Sequence, residues 1–135
     1  LLECLDGARA QIVVLAGFMR VLSPEFVSHF PRRMINVHPS LIPSFCGDGF
    51  YGLKVHEAAL KKGVKVTGAT VHFVTAETDA GPIVLQKAVD VAENDTPETL
   101  QKRVMEEAEW VIYPEAVKLF AENAIKVEGN VVRRI

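Results

Sequence analysis

The stretch at residues 11–17, QIVVLAG, limits the possible folds more than any other part of the chain. It is a continuous apolar run, rich in β-branched residues and closed by Gly17. A run without polar alternation reads as a strand buried on both faces, and such strands sit in parallel sheets with helices covering each side. The following residues supply that cover. Ser23 is placed to cap a helix over 23–30, with Pro24 at its first position and Glu25 in its first turn. Residues 33–38, RMINVH, then read as the next strand. The order strand, helix, strand is the unit of a doubly wound α/β sheet.

The rest of the chain continues the pattern. Residues 44–52, SFCGDGFYG, are a glycine-rich loop, and 53–63 a helix with Leu53, His56, Ala59 and Leu60 on one side, stopped by Gly63. Residues 64–74 and 83–91 read as strands, able to pair antiparallel across the polar turn TAETDAGP at 75–82. A long helix is expected over 94–123, capped by Thr96 and with Pro97 at its first position. Pro114 should kink or break it. Gly129-Asn130 between two short apolar runs signals a closing hairpin. The fold class is therefore α/β, a mostly parallel sheet flanked by helices with an antiparallel extension.

Bulk properties narrow the class of function. With 135 residues, 49% hydrophobic and 24% charged, the chain is the size of one domain, 1–135, with enough apolar material for a core. The net charge is −2, with both signs mixed along the chain, which argues against a nucleic-acid or membrane surface. No apolar run approaches the roughly 20 residues that span a bilayer. Cys4 and Cys46 are far apart, form no CxxC pair and read as reduced thiols of a cytoplasmic protein. The opening LLECLDGARAQ lacks an initiator Met and the basic start of a signal peptide; it reads as the tail of a helix, and an N-terminal part is expected to be missing.

The residues that could carry chemistry centre on 35–45, INVHPSLIPSF. Asn36 and His38 stand two apart, so on an extended strand both side chains leave by one face. Pro39 and Pro43 each remove a backbone donor just beyond them. Strand ends in open α/β sheets border the ligand crevice of such folds. The same residues also fit a plainer role, with His38 bonded in the core and Asn36 capping a turn. Asp79 fits an ordinary turn, His72 fits a core strand position, and His29 and His56 fall on helices and suggest nothing. No HxxxH or HxH spacing is present, so no metal is expected. There is no GxSxG elbow, P-loop or GxGxxG, so any catalysis should work by positioning, polarisation and proton transfer.

Taken in order, VVLAGFMRVLSPEFV, INVHPSLIPSF, TGATVHFV, TDAGPIVLQ and WVIYPEA resemble the folate-dependent formyltransferases, and among them the glycinamide ribonucleotide (phosphoribosylglycinamide) formyltransferases of purine biosynthesis. The resemblance runs from residue 11 to about residue 120 and implies a Rossmann-like formyltransferase fold. It implies a reaction in which the amine of glycinamide ribonucleotide attacks the formyl carbon of 10-formyltetrahydrofolate, a co-substrate, with no metal. By resemblance, Asn36 and protonated His38 donate to the oxyanion that develops, and Asp79 supports the charged imidazole and holds a proton-carrying water. His72 is given a supporting role or a packing one. Met19, Arg20, Val21 and Leu22 match the folate-binding loop, although the same residues could be core and solvated surface; Asn36 also faces the folate. Glu109 matches a ribose contact, and Ile42-Pro43 a cis peptide bond. The family's opening phosphate-binding loop is absent from these residues, and 46–56, CGDGFYGLKVH, is longer than the matching loop of some relatives.

The nearest rival by resemblance is formyltetrahydrofolate hydrolase, which passes the same group to water. That type carries a second His after the catalytic one and EGPIIEQ later, where this chain has Pro39 and AGPIVLQ. Methionyl-tRNA formyltransferase would need a further domain and a basic face. A folate-binding fragment without turnover is the remaining alternative. Small-molecule substrates, a cytoplasmic location and a monomer or homodimer complete the expectation.

Overall fold

In the computed structural model the described residues are 13–16, as backbone, 34–75 and 79–135. They form one six-stranded sheet, with strands β1 (Val13–Ala16), β2 (Met34–His38), β3 (Val66–Phe73), β4 (Ile83–Asp90), β5 (Ile125–Glu128) and β6 (Val131–Arg134) in the spatial order β1-β2-β3-β4-β6-β5. β1 and β2 pair in parallel, as expected of strands separated by a crossover, and β4 meets β6 in parallel at Ile83 and Val131. The pairs β2–β3, β3–β4 and β5–β6 are antiparallel. The antiparallel extension anticipated from the sequence is thus the larger part of the described sheet. The helix expected over 23–30 and the candidate folate loop Met19–Leu22 lie outside the described residues.

Strand alternation sorts the sheet into two chemically different faces. Ile35, Val37, Ala69, Val71 and Phe73 point one way and join a core with Leu100, Val104, Ala108, Ile112 and Ala116. Those last five residues recur at helical spacing along one stripe, which is why the C-terminal helical segment lies on this face. On the opposite face the row is polar: Asn36 stands across from His72, and His38 across from Thr70. His38, Thr70 and His72 are nonetheless buried. A buried polar row has to be satisfied or used, because desolvating an unpaired polar group costs on the order of 1–3 kcal/mol.

Helix α1 (Leu53–Lys62) ends where Gly63 adopts a left-handed conformation, φ 80°, and its N–H donates to the carbonyls of Ala59 and Leu60. Helix α2 (Pro97–Val104) starts with a capping box in which Thr96 and Thr99 satisfy each other's backbone N–H groups. Asp95 tightens this start by accepting from Ala92, Thr99 and Arg103, and the Arg103 guanidinium holds its carboxyl down at about 2. Of the kink or break expected at Pro114, the break does not occur. The proline sits inside α3 (Trp110–Ala121), and the departure from α geometry comes earlier, in a π-helical turn, Met105–Glu109. There Trp110 N–H reaches back to the Met105 carbonyl. Prolines and single π-helical turns are both places where a helix departs from regular geometry. The hairpin signal at Gly129-Asn130 forms as expected, with Glu128 opposite Val131 and Gly129 at φ 62°.

Candidate active site

The site begins where β2 runs out. Asn36 and His38 leave the polar face together, and the chain then turns through Pro39–Cys46 with a cis bond at Ile42-Pro43, as the resemblance implied. One hydroxyl fastens this turn to the sheet. Thr70 Oγ1 donates to the Ser40 carbonyl at 2.7 Å and accepts from Ile42 N–H at 3.1 Å and from Gln86 Nε2 at 3.0 Å. Gln86 Nε2 also donates to the Ile42 carbonyl at 3.0 Å. Neither Thr70 nor Gln86 stood out in the sequence, because only the strand register brings them under the turn.

His38 is engaged through both ring nitrogens. Nε2 donates to the carbonyl of Phe45 at 2.8 Å, and Nδ1 lies 3.5 Å from Asp79 Oδ2. Phe45 is held at φ 49°, a region non-glycine residues seldom occupy. The Phe45 oxygen is therefore the acceptor toward which the Nε2 donor aims. Asn36 contributes a half-buried amide whose Oδ1 is buried and has no hydrogen-bond partner among the described residues.

Asp79 reaches the site from a different part of the chain. It sits in the turn between β3 and β4 at a left-handed φ of 54°, which aspartate tolerates better than most residues. The turn is pressed against β3: a Cβ on Gly81 would lie 1.8 Å from the Phe73 carbonyl oxygen, so only glycine fits. A register shift between Val71 and His72 accompanies this return; bulges of this kind re-aim side chains next to sites. Asp79 Oδ2 accepts from Gly47 N–H at 3.0 Å, and Oδ1 lies 3.6 Å from His72 Nε2. The carboxylate therefore stands between two imidazoles and ties down the glycine-rich loop. Burial and the Asp79 charge both push the Cys46 thiol up, so it remains protonated rather than becoming a nucleophile.

Of the residues singled out in the sequence, Asn36, His38, Asp79 and His72 come together. Glu109 does not join them. It closes the π-helical turn and lines a separate, largely apolar groove of about 830 Å³ with Val37, Met105, Trp110, Tyr113, Pro114 and Val117. Burial pushes its carboxyl up. Val37 lies between Asn36 and His38 but points to the opposite face, so the groove and the polar row flank one strand. His56, unremarkable in the sequence, is buried against the site from α1. Neither of its ring nitrogens has a partner among the described residues, and burial, with His38 nearby, takes it down to about 4. No cluster of three or more His, Cys, Asp or Glu among the described residues is placed to hold a metal ion, and no helix among them is long and apolar enough to cross a membrane.

A strand-end amide and imidazole, joined by a carboxylate from a neighbouring turn on an α/β sheet, form a site for polarising a carbonyl and moving a proton. The chain belongs to the formyl transferase family, whose model matches residues 1–117. It is 45% identical over 126 residues to the chloroplastic phosphoribosylglycinamide formyltransferase of Arabidopsis thaliana, covering 93% of this chain and 43% of that protein. Glycinamide ribonucleotide transformylase 1 from Symbiobacterium toebii superposes with a TM-score of 0.90 at 46% identity, over 99% of this chain and 60% of the other. A formyltetrahydrofolate deformylase from Pseudomonas syringae is similar at 32% identity and a TM-score of 0.87, over 98% of this chain and 43% of its own. The chain thus spans less than two thirds of the length of each of these relatives.

Proposed function

We propose that this chain carries the reaction centre of a glycinamide ribonucleotide formyltransferase, which moves the formyl group of 10-formyltetrahydrofolate to the substrate amine in purine biosynthesis. The observation that carries the reading is the approach of Asp79 Oδ2 to His38 Nδ1, 3.5 Å, on the face that also presents Asn36. The amine nitrogen attacks the formyl carbon, and the carbonyl electron pair moves onto oxygen. Asn36 and the N–H of His38 that now meets the Phe45 carbonyl are the donors for that oxygen. Asp79 receives the proton the amine gives up and returns it to the departing folate nitrogen. Prearranged donors of this kind contribute roughly 3 kcal/mol each.

The naming of relatives supports glycinamide ribonucleotide as the acceptor, as does AGPIVLQ after Asp79, where the hydrolase type differs. The whole of 1–135 is read as one formyltransferase domain. Met19, Arg20, Val21 and Leu22 are assigned to the pteridine edge, and Glu109, in its groove, to the ribose. The desolvated Glu109 carboxyl suits a hydroxyl partner, which offers a hydrogen bond without demanding a full charge. A cytoplasmic monomer or homodimer acting on small molecules completes the reading. The test is to supply 10-formyltetrahydrofolate with and without glycinamide ribonucleotide and to follow both formyl transfer and formate release. Transfer that depends on the ribonucleotide is the expected result. Formate release with water alone would assign the chain to the hydrolase type, and folate binding without turnover would leave it a binding fragment.

A further inference from the structure

His72 is a second imidazole on Asp79, and its hydrogen bonding dictates where its proton sits. Nδ1 is 3.0 Å from the Phe73 carbonyl oxygen, which can only accept, so Nδ1 carries the hydrogen. That leaves Nε2 with a lone pair unless the ring is charged. Burial disfavours the charged ring, outweighing the pull of the Phe73 carbonyl and Asp79, and His38 adds to the disfavour. Nε2 is buried, has no hydrogen-bond partner among the described residues, and faces Asp79 Oδ1 at 3.6 Å. Two lone pairs confront each other across a desolvated gap. A single proton on Oδ1 removes the conflict, because the carboxyl O–H then donates to Nε2.

We propose that His72 is a positioning residue that acts through Asp79: its Nε2 lone pair accepts a hydrogen bond from Asp79 Oδ1 while the carboxyl holds the reaction's proton. This rests on the formyl-transfer reading above and adds a division of labour to it. Oδ2 is occupied by the Gly47 N–H and faces His38. Among the described residues, Oδ1 is therefore the oxygen left to take a proton. The step is balanced: the amine N–H bond breaks, its electron pair stays on nitrogen, and an O–H bond forms on Oδ1. The reverse transfer delivers the proton to the folate nitrogen as the C–N bond breaks. His72 itself is neither protonated nor deprotonated. Among the described residues, the groups that face Asp79 are His38 from β2, His72 from β3, and Cys46 and the Gly47 amide from the loop.

The experiment begins with nitrogen NMR of the histidine rings in the chain itself, which needs no turnover. The expected spectrum at neutral pH has the His72 hydrogen on Nδ1 and a lone pair on Nε2. On acidification the Nε2 signal should shift before the ring itself charges, and this shift should vanish in Asp79→Ala. A hydrogen on Nε2 at neutral pH, or an acid shift that persists without Asp79, overturns the proposal. The second arm is His72→Phe, which keeps the ring and removes the lone pair. In the formyl-transfer assay kcat should fall roughly tenfold, with KM for folate unchanged. The acid limb of its pH profile should move to lower pH, because the proton-bearing carboxyl has lost its acceptor. An unmoved acid limb overturns the proposal. Absence of formyl transfer in the unaltered chain would count against the function proposed above while leaving the NMR result to decide the role of His72.

Discussion

The backbone N–H of Gly47 donates to Asp79 Oδ2 at 3.0 Å, joining two segments that are 32 residues apart. The same oxygen lies 3.5 Å from His38 Nδ1. One carboxylate oxygen thus organises the loop at 44–52 and orients the imidazole. Asp79→Asn should lose the charge while nearly keeping the shape. Formyl transfer should fall on the order of 10²- to 10⁴-fold, as expected when a proton-transfer group is removed. Hydrogen exchange of the Gly47 amide should accelerate at the same time. Loss of activity with unchanged exchange at Gly47 would show that the loop is held by other contacts.

The two donors on β2 should separate binding from chemistry. On the proposed reading, Asn36→Ala removes an amide that donates to the formyl oxygen as charge develops there. Its kcat should drop on the order of 10²- to 10³-fold with little change in KM. His38→Ala should abolish turnover while leaving folate affinity nearly intact, measured by direct titration with a folate analogue. Near-normal turnover in His38→Ala would remove this residue from the reaction.

Thr70 predicts a structural effect that reaches function. Its hydroxyl makes three hydrogen bonds beneath the turn, to Ser40, Ile42 and Gln86. Thr70→Val keeps the volume and removes all three, leaving the Ser40 carbonyl and Ile42 N–H without their partner. Stability should fall by about 1–3 kcal/mol in denaturant unfolding. The turn bearing Pro39 and Phe45 should loosen, and kcat should fall with it.

His56 gives the fold a pH dependence of definite sign. Its imidazole stands at 6.5 when free of burial and at about 4 in the folded chain. The unfolded chain therefore binds more protons between those values, and stability is lost as pH falls from 6.5 toward 4. Above 6.5 the contribution is fully present, and over the whole window it is on the order of 3 kcal/mol. Chemical denaturation across this range should show the decline, and His56→Phe should flatten it. An equal decline in the variant would place the sensitivity elsewhere.

Much of this protein could be read before any coordinates. The apolar run before Gly17, the Thr96-Pro97 helix start, the Gly63 stop and the Gly129-Asn130 hairpin are local signals, and local physics decides them. Of the kink or break expected at Pro114, the break does not occur, and the helix departs from α geometry a turn earlier, at Met105–Glu109. Spacing puts His56 on one helix side with Leu53, Ala59 and Leu60, but only packing sets its buried imidazole near His38 with neither nitrogen paired among the described residues.

Period-two alternation by itself put Asn36 and His38 on one face, because successive side chains of a strand must point to opposite sides. It could not set the distance from either to Asp79, or make His72 the second neighbour of that acid. Those relationships depend on which residue of β3 faces which residue of β2, on the shift after Val71, and on a turn that fits against Phe73 only because Gly81 has no side chain. The same packing put Glu109 on the far side of β2 from the residues it accompanies in the sequence pattern. Spacing along a chain determines direction within one element, whereas distance between elements is settled only when their surfaces pack.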